Sequence, residues 1–560
     1  MASITSVIAK SEEVLPEASK ATHGAVFTRP WVVDLILDLA GYTADKPLWE
    51  MVAIEPACGA GAFLGPMAER LSAACKRSGL DIRDSLGSIQ AFDLQPENVE
   101  KSRQLLHERL LTWGWGASRS KKFAEHVVRS GDFLLHDHDR LKADFVLGNP
   151  PYIRLEAVPS TRSDAYRRVC TTMTGRADIY VGFLEIGLEL LRPNGTLSFI
   201  CADRWMRNQY GRLLRRLVEN DFSVEAAIEM HNVDAFDDAV SAYPSVVTLR
   251  RRSQQPALVA DTTDAFNAKS AQALTSWHLQ AKAGDETHNS AFRAAMLPSW
   301  FSAQAPWPAG SPARLTLLRE LETRCPPLED KTTGTRVGIG VATGSDQVFV
   351  TSDPPAIEQD RLMPLAMVSD IAQGRLDWSG NYLVSPWRAD GQGLIDLHDF
   401  PKLQRYFEEN VDRLKARNIA KRRSLDWFRT IDRVHPELLK QHKLLLPDIK
   451  AEIHPVLDKG TIYPHHNLYY VVSRDWDLEV LGGLLLSRVA QMFIEAYAVR
   501  MRGGYLRFQA QYLRRIRVPS IASLKRIHIE KLRIAFQTRD VVLATDIALQ
   551  LYELDELPEL

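Results

Sequence analysis

Through the first half of the chain, short apolar and β-branched runs alternate with longer stretches whose apolar positions recur every three or four residues. The runs at 51–54, 88–92, 127–133 and 144–149 read as strands, and 196–201, 224–230 and 245–249 continue the series. The stretch 31–41 places Val32, Val33, Leu35, Ile36 and Leu39 on one helical face, with Thr28 as the expected cap and Pro30 in the first turn. Helices are likewise predicted over 178–191 and 204–220. Unbroken strand and helix alternation from Trp31 to Arg252 predicts one doubly wound α/β domain.

The second half is patterned differently. From 253 to 312 the composition shifts to Ala, Ser, Thr, Gln and Pro, which reads as connecting elements, with Trp277, Trp300 and Trp307 as packing residues. The glycines of 337–346 lack a phosphate-loop lysine, so a tight hairpin is expected there, followed by a strand at 347–351. An apolar helix is predicted over 478–497. The expected boundaries are an N-terminal segment 1–22, an α/β domain 23–252, connecting elements 253–312 and an α+β domain 313–560.

Composition narrows the class. An apolar share of 45% and a charged share of 25% are those of a globular protein in water. No run reaches the length of a membrane span and residues 1–20 are polar, so a cytoplasmic, nucleoid-associated protein without membrane contact is expected. Five scattered cysteines with no Cys-x-x-Cys pair argue against a disulfide framework and a zinc finger. His454, His465 and His466 lack a cysteine partner or helical i,i+4 pairing, so polar or nucleic-acid contacts, and no metal site, are expected of them. A net charge of −1 excludes a generic polyanion binder and requires any nucleic-acid surface to be local. Two clusters qualify. Lys415, Arg417, Lys421, Arg422, Arg423, Arg429 and Arg433 surround Trp427 and Phe428, and Arg500, Arg502, Arg507, Arg514, Arg515 and Arg517 surround Tyr505, Phe508 and Tyr512. Each is read either as a solvated face or as a DNA contact, and the interleaved aromatics favour DNA.

The chemistry lies where the strands end. Glu55-Pro56-Ala57-Cys58-Gly59 follows the first strand, and its small residues let backbone approach a ligand while Glu55 suits a positive ammonium. Asp93 ends the second strand and could accept from ribose hydroxyls. Asp132 and Phe133 end the third and suit an adenine edge and face. The fourth stops at Asn149-Pro150-Pro151-Tyr152, where a side-chain carbonyl, a rigidly held backbone carbonyl and an aromatic face make a socket for a planar group bearing NH₂. Cys58 falls in the loop after the first strand and away from the socket, which disfavours a cysteine nucleophile.

These residues, with Phe27-Thr28-Arg29-Pro30, Asp178-Ile179-Tyr180, Pro193-Asn194-Gly195 and Phe236, resemble in order the γ-class amino-methyltransferases of DNA, the N6-adenine enzymes of the TaqI and Eco57I type. The resemblance implies a seven-stranded, Rossmann-like methyltransferase sheet, S-adenosylmethionine as donor, and N6 of a flipped-out adenine as acceptor. It implies base-site roles for Asn149, Pro150, Pro151, Tyr152 and the second aromatic Phe236. Cofactor contacts are implied for Thr28, Glu55, Pro56, Ala57, Cys58, Gly59, Asp93, Asp132, Phe133 and Asn149. Residues 444–520 resemble, more loosely, the target recognition domain of TaqI-like enzymes. DNA contacts are expected at Lys421, Arg422, Arg423, Arg429, Arg502, Arg507, Arg514 and Arg515. A monomer acting on double-stranded DNA in a restriction-modification or related defence or epigenetic system, with a separate cognate endonuclease, fits this reading. Three alternatives stand beside it: an enzyme with the same socket acting on RNA or a protein glutamine, a fused nuclease, and a catalytically silent DNA-binding module.

Overall fold

The apolar runs of the first half have no polar face to offer water, and they fold as the interior of a sheet covered by helices. In the computed structural model, which describes residues 27–138, 141–237, 243–298, 300–301, 305–498 and 505–558, these runs form β1 (Ala53–Glu55), β2 (Ile89–Asp93), β3 (Val128–Ser130), β4 (Ala143–Gly148), β5 (Leu191–Ala202), β6 (Ser223–Glu229) and β7 (Pro244–Arg250). Their order is β3-β2-β1-β4-β5-β7-β6, parallel from β3 to β5 with β7 antiparallel to both neighbours. The order reverses between β1 and β4, so their carboxyl ends open the crevice where ligands of such sheets bind.

The segment expected to connect domains instead extends this sheet. β8 (Ala257–Thr262) pairs parallel to β6, and β9 (Glu286–His288) and β10 (Phe292–Leu297) complete a ten-stranded sheet. Its Ala-rich strands, buried as Ala257, Leu258, Val259 and Ala260, carry too little β-branched character to read as strands. Trp307 is fully buried against Trp205 and Phe301, Trp300 is buried and Trp277 half-buried.

Other local expectations shift for identifiable reasons. Arg29, not Thr28, is the N-cap residue of helix Pro30–Ala40, and no side chain caps it, because a guanidinium has no acceptor to offer; the Thr28 hydroxyl, one residue earlier, accepts from Asn149. The helix expected over 204–220 is broken into Arg204–Arg207 and Arg212–Asp221; the buried Arg215 guanidinium donates to the carbonyls of Trp205 and Asn208 that end the first piece. The apolar stretch 478–497 forms Leu478–Leu486 and Arg488–Tyr497, bent by 66°, with Ser487 capping the second. No single helix among the described residues is long and apolar enough to cross a membrane.

The chain divides into two compact units, Met1–Thr316 and Leu317–Leu560. The second is α+β. One four-stranded sheet holds β11 (Arg336–Ile339), β15 (His442–Pro447), β17 (Val456–Lys459) and β19 (Leu468–Val472); another holds β12 (Val350–Thr351), β13 (Leu362–Ala366), β14 (Tyr382–Val384) and β18 (Tyr463–Pro464). β16 (Ile449–Lys450) and β20 (Leu506–Arg507) pair separately. The glycine-rich 337–346 is not a hairpin: β11 pairs with the distant β19, and a loop leads to the short helix Asp346–Phe349. The expected segment 1–22, together with Arg500 and Arg502, lies outside the described residues.

Lys443 Nζ and Asp458 Oδ2 lie 2.5 Å apart with both side chains fully buried. Stripping one partner from such a pair costs roughly 3–5 kcal/mol, whereas an apolar replacement of both is close to neutral. Asp458→Ala should therefore lower the stability of the C-terminal unit by that order in urea unfolding, and adding Lys443→Met should restore most of it.

Candidate active site

The carboxyl ends of β1, β2, β3 and β4 converge on a cavity of about 330 Å³. Thr28, Glu55, Pro56, Ala57, Cys58, Gly59, Asp93, Asp132, Phe133, Asn149 and Pro151 all line it. The loop after β1 turns at Gly59, whose φ of +54° suits glycine, and the Gly59 N–H donates to Asp93 Oδ2 at 2.9 Å. Asp93 Oδ1 accepts from Gln95 N (2.8 Å) and Asn98 Nδ2 (3.1 Å), so its carboxylate enters the cavity already oriented.

Glu55 is the electrostatic anomaly. Its side chain is buried, and Oε2 has no hydrogen-bond partner among the described residues. Burial, reinforced by the nearby Asp93 charge, raises its pKa well above the usual carboxylate range. A cationic ligand would remove both penalties, and that makes this wall of the cavity fit a ligand with an ammonium group. Cys58 is the reverse case. Burial pushes its thiol up, so at neutral pH it stays protonated and unreactive, in keeping with a loop that holds rather than attacks.

Asp132 and Phe133 reach the cavity but are not free. Burial raises the Asp132 pKa; Oδ2 accepts from the Tyr166 hydroxyl at 2.7 Å with Arg162 at 3.8 Å, and Oδ1 accepts from Leu134 N. The Phe133 ring, 2% exposed, stacks on Phe183 and meets Phe92 edge-on, so little of its face is left for a ligand.

Asn149 sits at one wall of the cavity. Its Nδ2 donates to Thr28 Oγ1 at 3.1 Å, and Thr28, only 5% exposed, pairs through its backbone with Phe236. That pairing is reinforced by Arg29 N to Ala235 O (3.0 Å), Asp237 N to Phe27 O (3.0 Å) and an Arg29–Asp234 ion pair at 2.6 Å. Phe236 thereby lies edge-on to Tyr152, with ring centroids 6.3 Å apart and planes at 79°. The Tyr152 hydroxyl donates to Ile200 O at 3.2 Å, and burial raises its pKa, so the ring is neutral. Pro150 is buried. Beyond the two prolines the chain is held by Ile179 N to Ile153 O (2.8 Å) and a bridge between Arg154 and Asp178. The arrangement presents a fixed amide and a neutral aromatic pair beside a cavity with an acidic wall.

Among the lining residues missed by sequence reasoning are Phe63, Asn98, Arg162, Tyr166 and Phe183. Asn98 carried a local signal, five residues beyond Asp93 in the first turn of helix Pro96–Thr112. Arg162 and Tyr166 lie on helix Ser160–Val169, which has no ordered relation to the strand ends until the chain is folded.

The basic clusters of the C-terminal unit separate. Lys421, Arg422 and Arg423 are exposed, and among the described residues none of the three is in an ion pair. Arg429 is half-buried over the Trp387 ring at 5.3 Å. Arg507 and Arg514 are exposed but paired with Asp448 (3.4 Å) and Glu329 (3.0 Å). Arg515 does not fit a DNA contact: its side chain, 21% exposed, pairs with Glu322 at 2.9 Å and stacks on Tyr497. Nor do the interleaved aromatics form an open platform, because Phe428, Phe508 and Tyr512 are buried core residues; Tyr505 is exposed. Arg502 lies outside the described residues.

Comparison with known proteins places this geometry. The Eco57I restriction-modification methylase family matches residues 73–236, and the TaqI-like C-terminal specificity domain matches residues 368–518. The chain is 39% identical over 529 residues to the type II methyltransferase M.BstVI of Geobacillus stearothermophilus, covering 93% of this chain and 94% of that one. It is 39% identical over 560 residues to M.PaeR7I of Pseudomonas aeruginosa, covering 99% and 96%. Among solved structures, the type IIL restriction-modification enzyme MmeI in complex with DNA shares the fold at a TM-score of 0.56 and 12% identity, over 95% of this chain and 74% of that one. A strand order of the methyltransferase type, a cavity at its switch point and relatives alike over nearly their whole length leave neither the RNA or glutamine enzymes nor a silent binding module as a match: the chain belongs to the type II DNA methyltransferases of restriction-modification systems.

Proposed function

We propose that this DNA methyltransferase transfers a methyl group from S-adenosylmethionine to N6 of an adenine rotated out of duplex DNA. The observation that carries the reading is the Asn149 amide, held by Thr28 between the acidic cavity and the Tyr152–Phe236 pair. S-adenosylmethionine supplies an electrophilic methyl on a cationic sulfonium. Its ammonium suits the buried Glu55 carboxylate, and its ribose hydroxyls suit Asp93. Asp132 shares its remaining acceptor capacity between Tyr166 and the adenine edge of the ligand.

An exocyclic amine conjugated into a ring is a weak nucleophile. Asn149 Oδ1 and the Pro150 carbonyl accept its two hydrogens, which draws the nitrogen towards tetrahedral geometry and frees its lone pair. Tyr152 stacks on the base and Phe236 supports its edge, offsetting the loss of stacking on extrusion by roughly 1–3 kcal/mol. Holding the amine at a fixed place beside the cavity does the rest. In the C-terminal domain Lys421, Arg422 and Arg423 contact phosphates. The chain acts as a monomer on DNA, beside a separate cognate endonuclease.

Enzymatic digestion of DNA after reaction with labelled S-adenosylmethionine should release N6-methyladenine. Asn149→Ala should lower its formation by roughly 10²–10³-fold or more, and label recovered only as N4-methylcytosine would overturn the choice of base.

The Glu55 shift sets a pH dependence. Its proton must leave before the carboxylate can hold an ammonium, so cofactor affinity should rise with pH through the raised Glu55 pKa, and Glu55→Gln should bind weakly with that dependence gone. In thermal unfolding of the protein alone the sign reverses. An acid whose folded pKa is raised loses stability as pH climbs through that value, and Glu55→Gln removes the loss.

Salt titrations separate the basic residues. Replacing Lys421, Arg422 and Arg423 with Ala should weaken DNA binding without regard to sequence and flatten the log K against log salt slope by about 0.9 for each phosphate no longer neutralised. Arg515→Ala should leave the slope alone and lower the unfolding temperature.

A further inference from the structure

Folding brings together, in the C-terminal unit, three groups that lie far apart in sequence or carry no metal spacing. Asp346, His465 and His466 each offer one ligand atom, all within 4.8 Å of one another. His465 Nε2 is 3.2 Å from Asp346 Oδ2, close to the edge of about 3.3 Å in a tetrahedron of zinc–ligand bonds near 2.0–2.1 Å. The two imidazole rings are adjacent, with centroids 4.1 Å apart, and His466 Nδ1 is buried with no hydrogen-bond partner among the described residues. A buried imidazole nitrogen left unmatched beside a His–Asp pair calls for a missing group.

We propose that Asp346, His465 and His466 bind one divalent transition-metal ion of the zinc type.

The surroundings are those of a built site. The Thr343 hydroxyl donates to Asp346 Oδ1 and so orients the carboxylate from behind. His465, 1% exposed, is fixed by its N–H to Ala366 O (3.1 Å) and a bridge to Val341. A Cβ at Gly340 would stand 2.2 Å from the His465 carbonyl oxygen, so glycine there lets the loop close on the histidines. Asp346, 49% exposed, leaves a path for the ion and room for a solvent molecule as fourth ligand. The other grouping of this kind, Asp203, Glu229 and His231, differs because Arg207 already neutralises both carboxylates at 2.6 and 2.5 Å.

The ion would pin the loop to which the basic segment is hydrogen-bonded. Thr343 O accepts from Arg417 Nη1 (3.0 Å) and Ile431 N (3.3 Å), and Ala342 O from Asp432 N (3.0 Å). The site lies wholly in the C-terminal unit and stands or falls apart from the identity of the methylated base.

The test uses the full chain, freed of any polyhistidine tag, stripped with a chelator and titrated with Co²⁺. One equivalent should bind with the visible bands of four-coordinate cobalt, be displaced by one equivalent of Zn²⁺, and fail to bind in Asp346→Asn and His466→Gln. His466→Cys supplies a gain of signal that does not depend on a deletion: a thiolate-to-cobalt charge-transfer band, absent from the wild type, should appear. A wild-type chain that takes up no more Co²⁺ than the Asp346→Asn/His466→Gln double variant, or a His466→Cys chain without that band, overturns the proposal.

Discussion

One hydrogen bond, from the Asn149 amide to the Thr28 hydroxyl, joins the two halves of the candidate site. Asn149 ends the central strand β4, where the sheet order reverses; Thr28 precedes the first helix and pairs with Phe236. Through that bond the amide is oriented, and through that backbone pairing the second aromatic ring is set against Tyr152. The helix beginning at Pro30 has Arg29 at its N-cap and no side-chain cap, and the Thr28 hydroxyl, one residue outside that position, is engaged with the site.

The same sheet concentrates carboxylates where it can least solvate them. Glu55, Asp93 and Asp132 all lie at strand ends, and burial raises both Glu55 and Asp132. Asp93 and Asp132 are matched by local donors, Gly59 N, Gln95 N and Asn98 for one, Tyr166 and Leu134 N for the other. Glu55 Oε2 is not, and it stands at the wall of the cavity. A site that leaves one acid uncompensated is selective for a ligand that brings the positive charge itself. A methyl donor that carries an ammonium and a sulfonium meets that demand, and the anionic pyrophosphate of a dinucleotide does not.

How much of this was legible in the sequence depended on where the information lay. Strand ends such as Glu55, Asp93 and Asn149 were readable because a buried strand, a small-residue turn and a polar group follow one another along the chain. Residues 257–297 were not, since strands built on alanine show neither alternation nor β-branched enrichment and gain their pairing only from β6. The break at Ser487 and the capping of residues 205–208 by Arg215 were hidden for the same reason: periodicity reports a face, not a bend. Charge clusters misled most. Arg515 and Lys421 look alike in a one-dimensional run, and only folding shows the first inside an ion pair with Glu322 and the second in solvent. Asp346 reaches His465 from 119 residues away, a distance over which local spacing carries no signal.

The proposed mechanism depends most heavily on the Thr28–Asn149 bond, and single-turnover methyl transfer measures it directly. Thr28→Val keeps the size of the side chain while removing the oxygen that accepts from the half-buried Asn149 amide, at a cost of about 1–3 kcal/mol. The rate of transfer to bound DNA should then fall by roughly 10- to 100-fold, with Thr28→Ser recovering most of it. A Thr28→Val enzyme that transfers at the wild-type rate with saturating cofactor would contradict this mechanism, because the amide would then be oriented by something other than this bond.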